Sequence, residues 1–496
     1  MAALQDAAGW TLAQLLDGRL AVPPAADRAL AGLCVDSRGC TPGALFLALP
    51  GTRGHGLAHL DAACRAGAVA ALYDPDGALP PAGAALPLLP LPGLRHCYGE
   101  LADRFHGEPS RVLAVLGVTG TNGKSSVCHF LAGALDRPGA RCGVLGTLGN
   151  GWPGALAPAT HTTPDAVTVH ALLAELRAGG ATRVAMEVSS HALDQGRVGG
   201  VRFDTAVFTN LTHEHLDYHG GMQQYAAAKQ RLFTQPGLRR AALNVDDPCG
   251  RAWLAALPRA VSALGYGFAA DAAVRGAELE AHADGFTLTV HTPAGRGVLH
   301  SGLLGRFNAS NLLATLAVLL LAGLELDDAL ARLAAVRGVP GRMERFGGGD
   351  GPLVVVDYAH TPDALAVALA ALREHCRGRL WCVFGCGGDR DAAKRPLMGA
   401  VAAAAADRVI VTDDNPRRED GAAIARAIVA GMPAGHPVEV LRDRAAAIGA
   451  ALAAAAADDV VLVAGKGHEL TQQVGDELRP FSDRALVRRL VGEAAA

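Results

Sequence analysis

With 496 residues the chain has room for about three domains at ~150 residues each, every one large enough to bury its own core. Half of its residues are apolar, and 45 Lys and Arg stand against 48 Asp and Glu, a formal net charge of -3. This composition excludes a disordered chain and a collagen-like repeat, and the charge balance excludes a general nucleic-acid or anionic-membrane surface, so any phosphate binding must be local.

The opening segment MAALQDAAGWTLAQLLDGRL has no basic start ahead of a continuous apolar core and carries Asp6 and Asp17, so no secretory signal is expected. Residues 1–110 alternate short apolar pieces, Ala44–Leu49 and Val69–Tyr73, with Pro/Gly-rich turns; LPPAGAALPLLPLPGL at 79–94 reads as loop or edge structure. From Arg111 the texture becomes strand, Gly-rich turn, helix: VLAVLGV, TGTNGKS, SVCHFLAGALD. Further strands are expected at Arg183–Val188 and Thr205–Thr209, each an apolar run ending in polar residues at the carboxyl edge of a parallel sheet. The apolar run from Leu312 is broken by Glu325, short of the ~20 residues of a membrane span, and reads as a buried helix.

The Gly- and charge-rich stretch GRMERFGGGDG (341–351) marks a domain boundary. Beyond it, strands at Leu353–Asp357, Leu380–Phe384, Arg408–Thr412 and Val460–Ala464 alternate with Ala-rich helical tracts, as βαβ crossovers require. The expected fold is α/β in three domains: 1–110; 111–345, a P-loop-type ATPase with a mainly parallel sheet; and 346–496, Rossmann-like without the dinucleotide fingerprint. Ten cysteines include no CxxC pair, and the close couples Cys34/Cys40 and Cys382/Cys386 lack flanking histidines, so reduced thiols in a cytoplasm are expected.

The strongest local signal runs from Thr119 through Gly120, Thr121, Asn122, Gly123, Lys124 and Ser125, between a strand and a helix. Backbone N–H groups there can wrap phosphate oxygens, with Lys124 on the β/γ-phosphates and Ser125 on Mg2+. Val118 stands where the strict P-loop pattern has glycine. Glu187, at one strand end, and His215, in the donor-rich THEHLDYH segment after another, are the expected metal ligands, with His213 and His219 as supporting or surface groups. Lys229 lies on a helix beyond that segment; taken alone it is a surface charge, but near cations it could bind CO2 and present a carbamate, and the spacing does not choose.

Nine segments occur in one order: GTNGKS, MEVSSHALDQGRV, NLTHEHLDYHG, YAAAKQRLF, GRFNASN, VVVDYAHTPDAL, GCGGDRDAAKRP, DDNPRR and AGKGHE. Together they resemble the Mur ligases of peptidoglycan synthesis, in particular the type that adds the third peptide residue to UDP-MurNAc-L-Ala-D-Glu, over nearly the whole chain. Glu214 departs from the pattern, which more often has Asp before the metal-binding His. The resemblance implies an N-terminal domain holding the UDP moiety, a central ATPase and a C-terminal domain bringing the amino acid. It places Val35, Ser37 and the turn at His55 on the uridine diphosphate, and Thr162, Thr163, Ser189, Gln195 and Arg197 on the muramoyl peptide or its phosphates. It makes Lys229 a carbamylated lysine that shares a metal with Ser125, Glu187 and His215, and assigns Asn308 and Asn311 to adenine and Arg342, Asp357 and His360 to the ATP-facing junction. The catalytic set is then Lys124, Lys229 and His215.

The implied activity is an ATP-dependent amide ligase acting through an acyl phosphate, with ATP, Mg2+ and a CO2-derived carbamate as its small-molecule requirements. Asp414, Asn415, Pro416 and Arg417 form the segment that marks the diaminopimelate-adding members, and Arg417 suits the second carboxylate of that amino acid, which lysine lacks. Arg390, Gly465 and Glu469 would complete the pocket, Glu469 taking the distal ammonium. The expected partners are UDP-MurNAc-L-Ala-D-Glu and meso-diaminopimelate, with no nucleic acid and no membrane insertion, in a monomer. The alternatives are a lysine-adding ligase, other Mur ligases or folylpolyglutamate synthase, and a nucleotide-dependent switch that ligates nothing.

Overall fold

The computed structural model describes residues 9–51, 54–76 and 78–493, so Asp6 lies outside the described residues. The chain packs into two compact units, residues 1–266 with 317–322, and residues 267–316 with 323–496.

In the first unit a small parallel sheet joins Gly32–Cys34, Ala44–Ala48, Ala70–Tyr73 and Leu88–Pro90 in that order. The Pro-rich stretch 79–94 thus ends in an edge strand, where proline's missing N–H is tolerated. The helix Leu94–Phe105 buries Leu94, Tyr98, Leu101 and Phe105 against the same core. One sequence expectation fails here: Cys34 and Cys40 are not separate thiols but a disulfide. A strand end followed by the short helical turn Ser37–Gly39 brings their Cα atoms to 5.4 Å, within bridging range, which the bare spacing did not disclose.

The larger sheet of this unit sets Arg141–Gly146, Ala181–Glu187, Ala114–Thr119, Phe203–Phe208, Arg240–Asn244 and Ser262–Gly267 side by side, all parallel. The central strand Ala114–Thr119 is buried along Val115–Thr119, as its unbroken apolar run requires, and feeds the helix Lys124–Leu135 through the Gly-rich turn. Strand order reverses on either side of Ala114–Thr119, so the carboxyl ends of Ala181–Glu187 and Phe203–Phe208 flank that turn.

The second unit carries an antiparallel sheet of Val274–His282, Gly285–Thr292 and Gly295–Ser301. Its main sheet has the order Glu344–Gly347, Leu353–Asp357, Val460–Ala464, Leu380–Phe384, Arg408–Val411, Val438–Val440, parallel except for the first strand. The expected strands match within a residue because each is a continuous apolar run buried on both faces. The stretch 341–351 contributes the antiparallel strand Glu344–Gly347, which turns back through Gly347, Gly348 and Gly349, all at positive φ. The apolar run from Leu312 is helical, Arg306–Leu321, with Leu312, Leu313, Leu316 and Leu319 buried. Among the described residues no helix is long and apolar enough to cross a membrane.

Candidate functional site

The Gly-rich turn of the first unit depends on Gly120, whose φ is 150° and where an added Cβ would lie 1.8 Å from Thr209 Oγ1. Thr209 Oγ1 bonds Asn122 O at 2.6 Å, and Asn122 N–H donates to Asn210 Oδ1 at 2.9 Å, so the end of Phe203–Phe208 clamps the loop from one side. Lys124 Nζ donates to Gly120 O at 2.9 Å and Thr121 O at 2.8 Å, folded over the loop it belongs to.

Lys229 is only 1% exposed, and its Nζ reaches the same Gly120 oxygen at 2.7 Å while lying 4.5 Å from the Tyr225 ring. Burial, reinforced by the positive charge of Lys124, brings its ammonium down to about 6. At neutral pH the amine is then largely unprotonated, the form that adds to CO2.

On the other side, Ser125 Oγ donates to Glu187 Oε1 at 2.9 Å, and Thr147 N–H donates to the same oxygen at 2.8 Å. The Thr147 hydroxyl lies 3.0 Å from Thr162 Oγ1 and 3.3 Å from Glu187 Oε2. Thr163 Oγ1 donates to Glu187 O at 2.8 Å and accepts from Ser189 N–H at 3.1 Å. Arg197 continues the network, giving Nη1 to Thr163 O at 3.0 Å and Nε and Nη2 to Gln195 Oε1. Lys229 and His215 are not part of this network, but Ser125 and Glu187, the other two residues expected on the metal, form one hydrogen-bonded chain with those expected on the muramoyl peptide. It opens on a cavity of about 530 Å³ lined by Arg95, Tyr98, Asp165, Gln195, Arg197 and Tyr218, among others. Thr147, Arg95 and Tyr218 were not picked out from sequence. Thr147 could have been, since it directly follows the strand Arg141–Gly146 at the carboxyl edge where ligands gather.

His215 stands at φ 56°, its ring centroid 4.8 Å from that of His191 and 6.3 Å from that of Tyr225. His219 Nε2 lies 3.0 Å from Ser190 Oγ. No three His, Cys, Asp or Glu side chains converge on one point among the described residues. The donors at the loop are therefore a hydroxyl, one carboxylate and a buried neutral amine, a set that suits a hard cation once Lys229 gains an acidic group.

Just beyond the strand Gly32–Cys34, Val35 and Ser37 lie inside the ring closed by Cys34 and Cys40. Both nitrogens of His55 are engaged within the protein, Nδ1 accepting from Leu57 N–H at 3.1 Å and Nε2 facing Asp74 O at 3.0 Å.

In the second unit Asp357 accepts from Met343 N–H and Ala359 N–H, both at 2.8 Å; burial pushes its carboxyl up against the opposing pull of Arg342. Arg342 stacks 4.5 Å over Tyr358, and its buried Nε meets no acceptor among the described residues. His360 turns Nδ1 to Tyr358 O at 2.7 Å. Asn308 and Asn311 are both buried; Asn308 Nδ2 donates to Leu304 O, just ahead of the helix, and Asn311 Nδ2 donates to Asn308 Oδ1.

The Asp414–Arg417 segment sits at the carboxyl end of Arg408–Val411. Arg417 adopts φ 51°, its N–H donates to Gln473 O at 3.1 Å, and its Nη1 donates to Gly388 O at 2.7 Å. Gly465 packs against Asp414, where a Cβ would lie 2.5 Å from Asp414 Oδ2, and its φ of 114° independently demands glycine. Burial raises the Asp414 carboxyl, while Arg444 and Lys466 counteract it. Asn415 Nδ2 donates to Glu469 Oε2 at 2.9 Å, joining the two expected amino-acid-binding segments. Pro416 is buried, whereas Arg390 is exposed and makes no hydrogen bond among the described residues.

The Mur ligase middle domain matches residues 118–319, the Mur ligase glutamate ligase domain residues 341–467, and the Mur ligase catalytic domain residues 30–106. Proteins of Alkalilimnicola ehrlichii and Pseudomonas aeruginosa are 52% and 53% identical to the chain. The alignments cover 97% of this chain and 99% of the first protein, and 92% and 94% for the second. Both bear the name UDP-N-acetylmuramoyl-L-alanyl-D-glutamate--2,6-diaminopimelate ligase. A solved structure titled for the same enzyme superposes with a TM-score of 0.73 at 35% identity, covering 98% of this chain and 99% of that one. With the motifs in order, the loop, Glu187 and Lys229 gathered at one sheet edge, and half of all residues shared along the whole length, the chain belongs to the Mur ligase family.

Proposed function

We propose that the chain is an ATP-dependent amide ligase that joins meso-diaminopimelate to the D-Glu side-chain carboxylate of UDP-MurNAc-L-Ala-D-Glu. The observation that carries this is the joining of the DNPR and GKGHE segments through Asn415, which sets a guanidinium, Arg417, and a carboxylate, Glu469, on one cluster suited to a zwitterionic amino-acid head.

The D-Glu carboxylate is a poor acyl donor, so it attacks the γ-phosphorus of ATP, displacing ADP and forming an acyl phosphate. The unprotonated amine of diaminopimelate then adds to the acyl carbon, and the tetrahedral intermediate expels phosphate and loses a proton to give the amide. The protein's task in both steps is to align reactants and to neutralise charge. Lys124 would exchange its loop carbonyls for phosphate oxygens. Arg197 and Gln195, already locked together, would orient the muramoyl peptide beside Thr162 and Thr163. Ser125, Glu187, His215 and a carbamylated Lys229 would hold Mg2+, which when bound neutralises phosphate charge. On this reading 1–110 holds the UDP end, 111–345 the nucleotide and 346–496 the amino acid, in a cytoplasmic monomer.

Phosphate release with ATP, Mg2+ and UDP-MurNAc-L-Ala-D-Glu tests the proposal, comparing meso-diaminopimelate with L-lysine for wild type and Arg417→Ala. Release with diaminopimelate alone, lost in the variant, is the expected result. Equal release with lysine would leave the ligase and remove the specificity; no release with either would favour the nucleotide switch.

A further inference from the structure

Lys466 is fully buried, at 0% exposure, and belongs to the second of the two segments that the amide-ligase reading assigns to the incoming amino acid, from which it reaches the first. Its Nζ donates to Glu469 Oε2 at 2.8 Å and to Asn415 Oδ1 at 3.1 Å. Asn415 Oδ1 also receives the Gln473 backbone N–H at 2.9 Å. With two donors on its oxygen, the Asn415 amide has one orientation, and its Nδ2 must point to Glu469 Oε2, which it meets at 2.9 Å. Glu469 Oε2 therefore holds two donors while Oε1 meets none among the described residues, on a side chain still 32% exposed. A buried ammonium is costly to maintain, and this one spends its hydrogen bonds on Glu469 and Asn415.

We propose that Lys466 is a positioning residue for amino-acid recognition: it fixes Glu469, directly and through Asn415, with one carboxylate oxygen left to receive the distal ammonium of the diamino acid. It rests on the diaminopimelate reading and adds a residue that reads no substrate atom itself. Burial alone would raise the Glu469 carboxyl, but the hydrogen bond and charge of Lys466 bring it below its ordinary value, so the carboxylate stays ionised for its partner.

The test is a double-mutant cycle on Lys466→Met and Glu469→Gln, measuring kcat and the KM of each substrate. Meso-diaminopimelate is compared with 2-aminopimelate, which keeps the attacking amine and the distal carboxylate but lacks the distal amine. Lys466→Met should raise the KM for diaminopimelate on the order of tenfold or more, leave the KM of ATP and of the UDP substrate unchanged, and scarcely affect 2-aminopimelate. In the Glu469→Gln background the same substitution should add almost nothing. Additive effects, an equal loss with 2-aminopimelate, or a parallel rise in the KM of ATP would overturn the assignment. If Lys466→Met does not fold, Lys466→Gln, which retains an N–H donor, takes its place in the cycle under the same criteria. Should wild type fail to use diaminopimelate at all, the functional reading itself fails, and that outcome is seen before any variant is made.

Discussion

Two lysines meet at a single carbonyl, Gly120 O, and their differences carry much of the chemistry. Lys124 belongs to the turn, whereas Lys229 arrives from the helix Met222–Gln230 and is buried to the point that its ammonium titrates at about 6. Lys229→Ala should lower turnover on the order of a hundredfold or more, since it would remove a charge-stabilising group at the reacting centre. Added short-chain carboxylate should restore part of it, as measured by phosphate release; full activity without rescue would sink the carbamate assignment. Spacing alone left Lys229 between a surface charge and a carbamate, because helical periodicity does not reveal which face is covered. Its 1% exposure excludes the surface charge. Thr147 and Lys466 escaped sequence reading for a related cause: each acts through a neighbour's carboxylate, Thr147 outside any dense run of ligand-type residues and Lys466 inside a motif in which Glu469 is the evident ligand.

Among the elements, the turn from Thr119 to Lys124 is constrained at Gly120. Gly120→Ala would drive a methyl into the Thr209 hydroxyl that holds Asn122. Loss of nucleotide-dependent phosphate release on the order of 10²–10³ is expected, together with a lowered thermal midpoint, since the methyl also sits at a φ that L-residues rarely adopt. A variant that retained wild-type kinetics would show that the loop relaxes around the methyl. Elements with one dominant physical signal were legible: Leu353–Asp357, Leu380–Phe384 and Val460–Ala464 are unbroken apolar runs and appear as read. The strand Glu344–Gly347 was not, because its Glu and Arg and the following glycines imitate a linker. Only its pairing with Leu353–Asp357 makes it part of a sheet.

At the scale of the whole molecule, three half-buried histidines bear on acid stability. Burial lowers His106, His129 and His468 to about 4, with nearby positive groups helping at His106 and His468. The unfolded chain takes up these protons below about 6.5, the folded chain only near 4, so stability is complete above the higher value and is lost as pH falls between them. The thermal midpoint should drop across that window, and His129→Gln should make the drop shallower; an unchanged slope would remove His129 from the account. The α/β class was legible from the alternation of apolar strand runs and helical tracts along the chain. The sheet orders were not, since they depend on which distant strands pair.

The Cys34–Cys40 bridge closes a seven-membered segment of chain around Val35 and Ser37, the residues assigned to the uridine diphosphate. Thiol reagents thereby become a variable of the preparation. A sample kept in dithiothreitol and one kept without it present that segment as an open and a closed loop, respectively. Affinities for the nucleotide-sugar substrate from the two would then describe different covalent species, to be compared only after a count of free thiols.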